Sequence, residues 1–313
     1  VDAFADLVRG VRANGALFGQ SIQSPPWSIN FTHAAELTLC TLLSGAGWIV
    51  PAEGPAVRIR VGDIAVVRGP EPFVIADEPD RAPAVTVHGA DLCTSTSTGG
   101  NLVEDVRLGP RTWGEDPAGG TNLVIGAYQA PGDVCQRLLG VLPPVLVVPG
   151  DTGPCVELEL VAAEVTGDQP GQQVVLDRLL DLLLVCTLRA WFARPEADPP
   201  AWYRALGDPV VGAVLRAMHD EPARPWTVDG LARRAGVSRA ALARRFTELV
   251  GEPPLTYLTG WRMTLAADLL RRGDGTVASV ASRVGYADGF AFSAAFKRVR
   301  GLSPTAYRAE KAG

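Results

Sequence analysis

Arg239 and Arg244 lie on a segment, SRAALARRFTELVG (238–251), whose apolar residues Leu242, Phe246 and Val250 recur every fourth position. That period belongs to a helix, so these three side chains face a core and Arg239, Ala240, Ala243 and Arg244 share the opposite face. An outward guanidinium can hold phosphate oxygens, or take O6 and N7 of a guanine as a bidentate pair. The chemistry is that of duplex DNA recognition; the simpler use of such a face is solvation.

A helix that presents its outer face to DNA needs a second helix to brace it. The preceding run, TVDGLARRAGV (227–237), supplies the signals. Thr227 is a candidate N-cap, Asp229 suits the positive end of the helix dipole, and Leu231, Ala232 and Ala235 form an inward stripe. Gly236 can take the positive φ that ends the helix, and Ser238 caps the next one. The pattern repeats in TVASVASRVGYADGFAFSAAFKRVRG (276–301), with Ala281, Gly285 and Phe292 standing where Ala232, Gly236 and Leu242 stand in the first copy. The turn glycines are 49 residues apart, and the second turn is one residue longer. Two such units in tandem predict a double helix-turn-helix rather than an ordinary helical bundle.

Charge follows the same division. Residues 205–313 hold 16 Lys and Arg against 10 Asp and Glu, a net of +6, whereas residues 1–204 carry −11 and the whole chain −5. A basic module on an acidic body is the electrostatic footprint of a nucleic-acid binder, with the acidic part turned away.

The last hundred residues resemble the DNA-binding domain of AraC-type transcription regulators. The residues that carry the likeness are Gly285-Tyr286, Phe292, Phe296 and Lys297, and Gly301, Ser303, Pro304, Tyr307 and Arg308. The resemblance implies a bracing helix near residues 209–219 and a long central helix near 254–272, with Leu255, Leu258, Leu265, Ala266 and Leu269 on one side. It places base-reading positions at Ala240, Ala243 and Arg244 in the first unit, with Arg239 as a phosphate contact. In the second unit it places them at Gly289, Phe290, Ser293 and Ala294. The second set departs from the family's usual polar or basic pattern at Gly289 and Ala294. That unit is therefore expected to contribute phosphate contacts through Lys297, Arg298 or Arg300, with specificity leaning on Arg244 and on DNA shape.

The first 150 residues contain short β-type runs at 37–43, 47–50, 57–61, 64–68, 73–76, 84–89, 122–128 and 145–149, separated by turn residues. These predict a sandwich or small barrel. Gly62, Asp63, Val66 and Gly69 resemble a cupin half-motif. The lead-in from Phe4 to Ser28 and the run at 138–148 resemble the borders of the cupin-type sensor domains joined to AraC-type readers. Metal-binding cupins need an H-x-H pair, a Glu and a later His. This chain has only His33, His88 and His219, and Phe73 stands where the later His would be, so no metal or other cofactor is expected. His33 and His88 are expected to be ordinary strand or surface histidines. Trp27, Phe31, Leu39, Trp48 and Phe73 are candidates for lining an apolar effector pocket. Of five cysteines, Cys40 and Cys186 sit in apolar runs and fit a core, while Cys93, Cys135 and Cys155 are candidate redox sites, since some cupin-bearing regulators respond to oxidants.

The apolar stretch 174–192 holds Asp177, Arg178, Asp181 and Arg189, which argues for a buried helix rather than a membrane span. The odd cysteine count and the absence of a signal-like N-terminus point to the cytoplasm.

The expected architecture is α+β: a cupin-like β-barrel domain at 1–152, a helical connector and dimerisation segment at 153–200, and an all-α double helix-turn-helix domain at 201–313. The expected activity is non-enzymatic, sequence-specific binding to double-stranded promoter DNA, modulated by a small apolar effector or an oxidant. A homodimer is expected, with RNA polymerase a further partner and no membrane association. The alternatives are a DNA alkylation-repair or DNA-modifying enzyme using the same reader, which needs a close cysteine cluster, and an effector-independent DNA-binding protein.

Overall fold

A computed structural model describes residues 2–13, 19–32, 35–89, 92–102, 105–109, 111–114, 116–150 and 155–312. His33 lies outside them. The chain divides into two compact units. One comprises Val11–Ala130 and Leu142–Asp198; the other comprises Val1–Gly10, Pro131–Val141 and Pro199–Gly313.

The first unit holds the strands. In chain order they are β1 (Arg12–Ala13), β2 (Gln20–Gln23), β3 (Ser28–Phe31), β4 (Leu37–Ser44), β5 (Ala46–Pro51), β6 (Val57–Arg60), β7 (Ile64–Arg68), β8 (Phe73–Ala76), β9 (Val85–Gly89), β10 (Leu92–Ser95), β11 (Arg107–Gly109), β12 (Thr112–Gly114), β13 (Thr121–Gln129) and β14 (Val145–Val148). Among the described residues they form two sheets, ordered β11-β12-β2-β13-β4-β7-β14, with β1 on β13, and β10-β9-β3-β8-β5-β6. Alternation places Cys40, Leu42, Ala65, Val67, Leu123 and Ile125 of the first sheet against Ile29, Phe31, Ile49, Ile59, Phe73 and Ile75 of the second, in one apolar core. Six strands, β1, β2, β3, β10, β11 and β12, fall in stretches too polar or too short to announce themselves by periodicity. Among the described residues the unit also holds two α-helices, α3 (Val156–Val165) and α4 (Gln172–Phe192). Leu176, Leu180, Leu183, Leu184 and Leu188 of α4 are buried, and the Tyr128 hydroxyl donates to the Leu180 carbonyl at 2.7 Å. No helix among the described residues is long and apolar enough to cross a membrane.

The second unit is helical: α1 (Ala3–Val8), α2 (Asp133–Leu139), α5 (Ala201–Ala205), α6 (Val211–Asp220), α7 (Val228–Arg234), α8 (Arg239–Val250), α9 (Pro254–Arg271), α10 (Val277–Arg283), α11 (Gly289–Arg300) and α12 (Pro304–Ala312). Two clusters of buried side chains share α9. Its N-terminal half gives Tyr257 and Leu258 to a core with Val214, Leu215, Leu231, Leu242 and Phe246. Its C-terminal half gives Met263, Ala266, Ala267 and Leu270 to a core with Val280, Phe292, Phe296 and Tyr307. Leu255, expected on the apolar side, is 38% exposed while the adjacent Pro254 is buried, so it lies on the outer side of the first turn of α9.

Candidate nucleic-acid interface

Each helix-turn-helix is built by the local signals its sequence carries. Thr227 caps α7 by accepting from the Gly230 N–H at 3.0 Å, and Ser238 caps α8 by accepting from Ala241 at 3.2 Å. Thr276 repeats the arrangement on α10 with Ser279 at 3.1 Å. Gly236 and Gly285 hold φ of +68° and +83°. At Gly285 a Cβ would also lie 2.4 Å from the Ala223 carbonyl oxygen, so no other residue fits this turn without a shift. Four residues separate α7 from α8 and five separate α10 from α11, the one-residue difference expected from the sequence.

The helices α8 and α11 are both twelve residues long and end at αL glycines, Gly251 and Gly301. Leu242 and Phe246 anchor the first, Phe292 and Phe296 the second, all four with no exposed surface. With those anchors superposed, Ala240 corresponds to Phe290, Ala243 to Ser293 and Arg244 to Ala294.

The arginines of α8 are not equivalent. Arg245 is tied to Asp208, with Nε at 3.0 Å and Nη2 at 2.6 Å from one carboxylate oxygen, and the other oxygen takes the N–H groups of Val210 and Val211 at the start of α6. Arg239 lies 3.6 Å from Asp229 with both side chains largely exposed, a pair that water weakens. Arg244 is exposed and forms no ion pair or hydrogen bond among the described residues, so it is the guanidinium available to a ligand. Ala240 is exposed and Ala243 half-buried beside it.

On α11 the polar groups are committed. Asp288 accepts from the Phe290 and Ala291 N–H groups at 3.0 and 3.1 Å, and the Ser293 hydroxyl donates to the Gly289 carbonyl at 2.8 Å. Gly289 is half-buried, Ala294 is exposed, and Phe290 is 88% exposed. Lys297 and Arg298 point into solvent.

Arg300, expected as a phosphate contact, is held elsewhere. Its Nη1 is 2.8 Å from Oδ1 of Asp133 on α2. The other oxygen of Asp133 takes Arg271 and, at 2.6 Å, the Tyr307 hydroxyl. Asp268 of α9 in turn accepts the backbone N–H groups of Asp133 and Val134 at 2.5 and 3.3 Å, capping α2 from outside. Sequence reasoning missed this cluster because Asp133 is more than 130 residues from its partners and no local motif joins it to them.

The effector and redox candidates lie in the strand-bearing unit, except Cys135. Trp27, Phe31 and Phe73 pack within the core between the sheets, the two phenyl rings stacked at 4.8 Å. Leu39 is buried on the other face of β4, and Trp48 is half-buried with the Arg58 guanidinium 5.9 Å from its ring. A cavity of about 160 Å³ occurs instead beside α3 and α4, lined by Gly62, Ile64, Val148, Glu157, Leu183 and Thr187 together with Cys155 and Cys186; none of the five expected residues lines it. Both thiols donate to Glu157, Cys155 at 3.5 Å and Cys186 at 3.3 Å. Cys186 is thus half-exposed rather than core, because its position on α4 faces the cavity. Cys135, expected to be accessible, is buried on α2 in the helical unit. Burial raises the pKa of Cys93, Cys155 and Cys186, and the Glu157 carboxylate adds to this for the last two. Among the described residues no group of three or more His, Cys, Asp or Glu side chains could hold a metal ion.

A cupin-type domain followed by two helix-turn-helix units on one central helix defines a class of DNA-binding regulator, and the sequence comparisons agree. Residues 2–193 match the cupin family and residues 231–310 a helix-turn-helix domain family. The chain is 32% identical over 314 residues to an AraC-like transcription regulator of Streptomyces lividans, covering 98% of each. It is 39% identical over 153 residues to the HTH-type transcriptional regulator AlkR of Acinetobacter baylyi, 49% of this chain and 50% of that protein. Among solved structures, the DNA-binding domain of AdpA in complex with a target DNA is 36% identical, covering 33% of this chain and 93% of that one, with a TM-score of 0.32. The chain belongs to the AraC-like family of transcription regulators.

The Asp208–Arg245 pair gives a pH test of how α8 is held. Burial works to raise the Asp208 pKa, but the hydrogen bond from Arg245 and the N–H groups of Val211 and Val210 outweigh it and leave the carboxyl below its ordinary value. A carboxyl depressed in the folded state stabilises fully above its unfolded pKa of about 3.9, and that contribution disappears as pH falls through the lower folded value. Asp208→Asn is therefore expected to lower the melting temperature at neutral pH, and to lower it by progressively less as pH falls below the unfolded value of about 3.9. A loss that stays constant across that acid range, followed by circular dichroism, contradicts this role for the pair.

Proposed function

We propose that this regulator binds double-stranded promoter DNA by laying α8 and α11 in the major groove, with Arg244 as its principal polar base contact. The observation that carries the reading is the unpaired, exposed Arg244 on a helix whose other arginines have carboxylate partners. Arg239, Ala240 and Ala243 flank it on α8; Gly289, Phe290, Ser293 and Ala294 form the facing surface of α11, and Lys297 adds a phosphate contact. A cytoplasmic location and contact with RNA polymerase follow from this role.

The cupin domain is proposed to modulate DNA binding through a small organic effector seated in the cavity beside Cys155, Glu157 and Cys186. Its mostly aliphatic wall with one carboxylate suits a small apolar molecule carrying a hydrogen-bond donor. The raised thiol pKa values disfavour the reactive thiolate, which weighs against an oxidant as the signal. Cys155 and Cys186 meet at Glu157 without a further cysteine in that lining, which gives little support to the alkylation-repair alternative and its cysteine cluster.

A homodimer is proposed through α3 and α4. Val156 and Leu160 on α3, one turn apart, and Val175 and Leu182 on α4, two turns apart, are all at least 45% exposed. Leu160→Glu with Leu182→Glu is expected to shift the full chain from dimer to monomer in analytical ultracentrifugation; an unchanged dimer places the interface elsewhere.

Arg244→Ala should weaken binding to an operator selected from random duplex DNA by about 1–3 kcal/mol at fixed salt, the discrimination a bidentate contact supplies. Ser293→Ala should cost less, since its hydroxyl is bonded to its own helix. Equal losses at the two positions, in fluorescence-anisotropy titrations, contradict the division of roles.

A further inference from the structure

Phe290 is the most exposed large apolar side chain among the described residues, at 88%, and it sits in the first turn of α11 at the position that Ala240 occupies on α8. Nothing about folding calls for a phenyl ring there. The helix is anchored by Phe292 and Phe296, and its start is capped by Asp288.

The surroundings restrict what this ring can recognise. The Phe290 and Ala291 N–H groups are taken by Asp288, so they are not offered to a phosphate. The Ser293 hydroxyl is turned back to Gly289, and Ala294 stands where α8 has Arg244. The outward face of α11 is thus an apolar surface of one aromatic ring and small side chains, with cations only further along at Lys297 and Arg298. In the major groove the edges of guanine, cytosine and adenine present polar groups, and a phenyl ring pressed on them removes water without replacing its hydrogen bonds. Thymine alone offers an apolar group, the C5 methyl.

We infer that Phe290 is a specificity residue that selects thymine by packing its ring on the C5 methyl group in the half-site under α11. The inference rests on the DNA-binding reading above and deepens it: one helix selects by charge and hydrogen bonding, the other by apolar contact. A competing use of an exposed phenylalanine, as a wedge between base steps, does not depend on the methyl group.

The test uses the full chain and a duplex selected from a random library. The half-site under α8 is the one whose base preference disappears in Arg244→Ala. In the other half each thymine is replaced singly by deoxyuridine, which removes only the methyl. At one or two positions the wild-type protein should lose about three- to tenfold in affinity, the scale of one buried methyl and its ring contact. Phe290→Ala should bind the thymine duplex more weakly and show no further loss with deoxyuridine, while Phe290→Leu keeps part of the discrimination. The high exposure of the ring predicts an unchanged melting temperature for both variants. Indifference of the wild type to every deoxyuridine substitution overturns the inference and leaves a wedge or no contact. A deoxyuridine penalty that persists in Phe290→Ala assigns the methyl contact to another residue and overturns it equally. Failure of the DNA-binding reading looks different, since no sequence would then be enriched from the library.

Discussion

The burial of two side chains, one turn apart, on each of α8 and α11 is the constraint on which the helical unit depends. Leu242 with Phe246, and Phe292 with Phe296, have no exposed surface, and each pair fills a core built on opposite halves of α9. Removing one of these phenyl rings would cost about 3–5 kcal/mol, a large share of the stability of a domain this size. Fixing two inward positions on a helix fixes its rotation, and so decides which residues face out. The residues turned outward are mostly small, Ala240, Ala243, Gly289, Ser293 and Ala294, around the larger Arg239, Arg244 and Phe290.

The charge pattern is more selective than the net +6 of residues 205–313 suggests. Several of these cations are structural. Arg245 is held by Asp208, Arg271 and Arg300 by Asp133, and the Arg262 Nε donates to the Pro222 carbonyl at 2.7 Å. By contrast, Arg244, Lys297 and Arg298 are exposed and have no such partner among the described residues. In the same unit, His219 is buried between Asp6 at 2.8 Å and the Tyr257 hydroxyl at 2.9 Å, so that α1 is joined to α6 and α9 by polar contacts.

Much of this architecture was legible in the sequence wherever a short-range signal exists. Capping residues, turn glycines and four-residue apolar periods located α7, α8, α10 and α11, including the longer second turn. Runs of aliphatic residues located β4, β7, β8, β13 and β14. What could not be read was whatever depends on partners distant in sequence. Asp133 belongs to a segment between β13 and β14, yet it sits in the helical unit with Arg271, Arg300 and Tyr307. Without that carboxylate Arg300 looks like any other cation at the end of a recognition helix. The cysteines failed for a related reason: polar neighbours in sequence suggested an accessible Cys135, which is buried, while an apolar run concealed the half-exposed Cys186. The aromatic residues near the sheets were visible as a set, but periodicity does not distinguish the wall of a cavity from the filling of a core.

The most direct test of the central claim is guanine-methylation interference on a selected operator, comparing the full chain with Arg244→Ala. Methylation at guanine N7 blocks one of the two acceptors a bidentate arginine needs. The account predicts that wild-type binding is blocked by methylation of a guanine in one half-site, and that Arg244→Ala binds more weakly but is indifferent to that same methylation. Interference that persists unchanged in Arg244→Ala, or its absence from every guanine in the wild type, would contradict it.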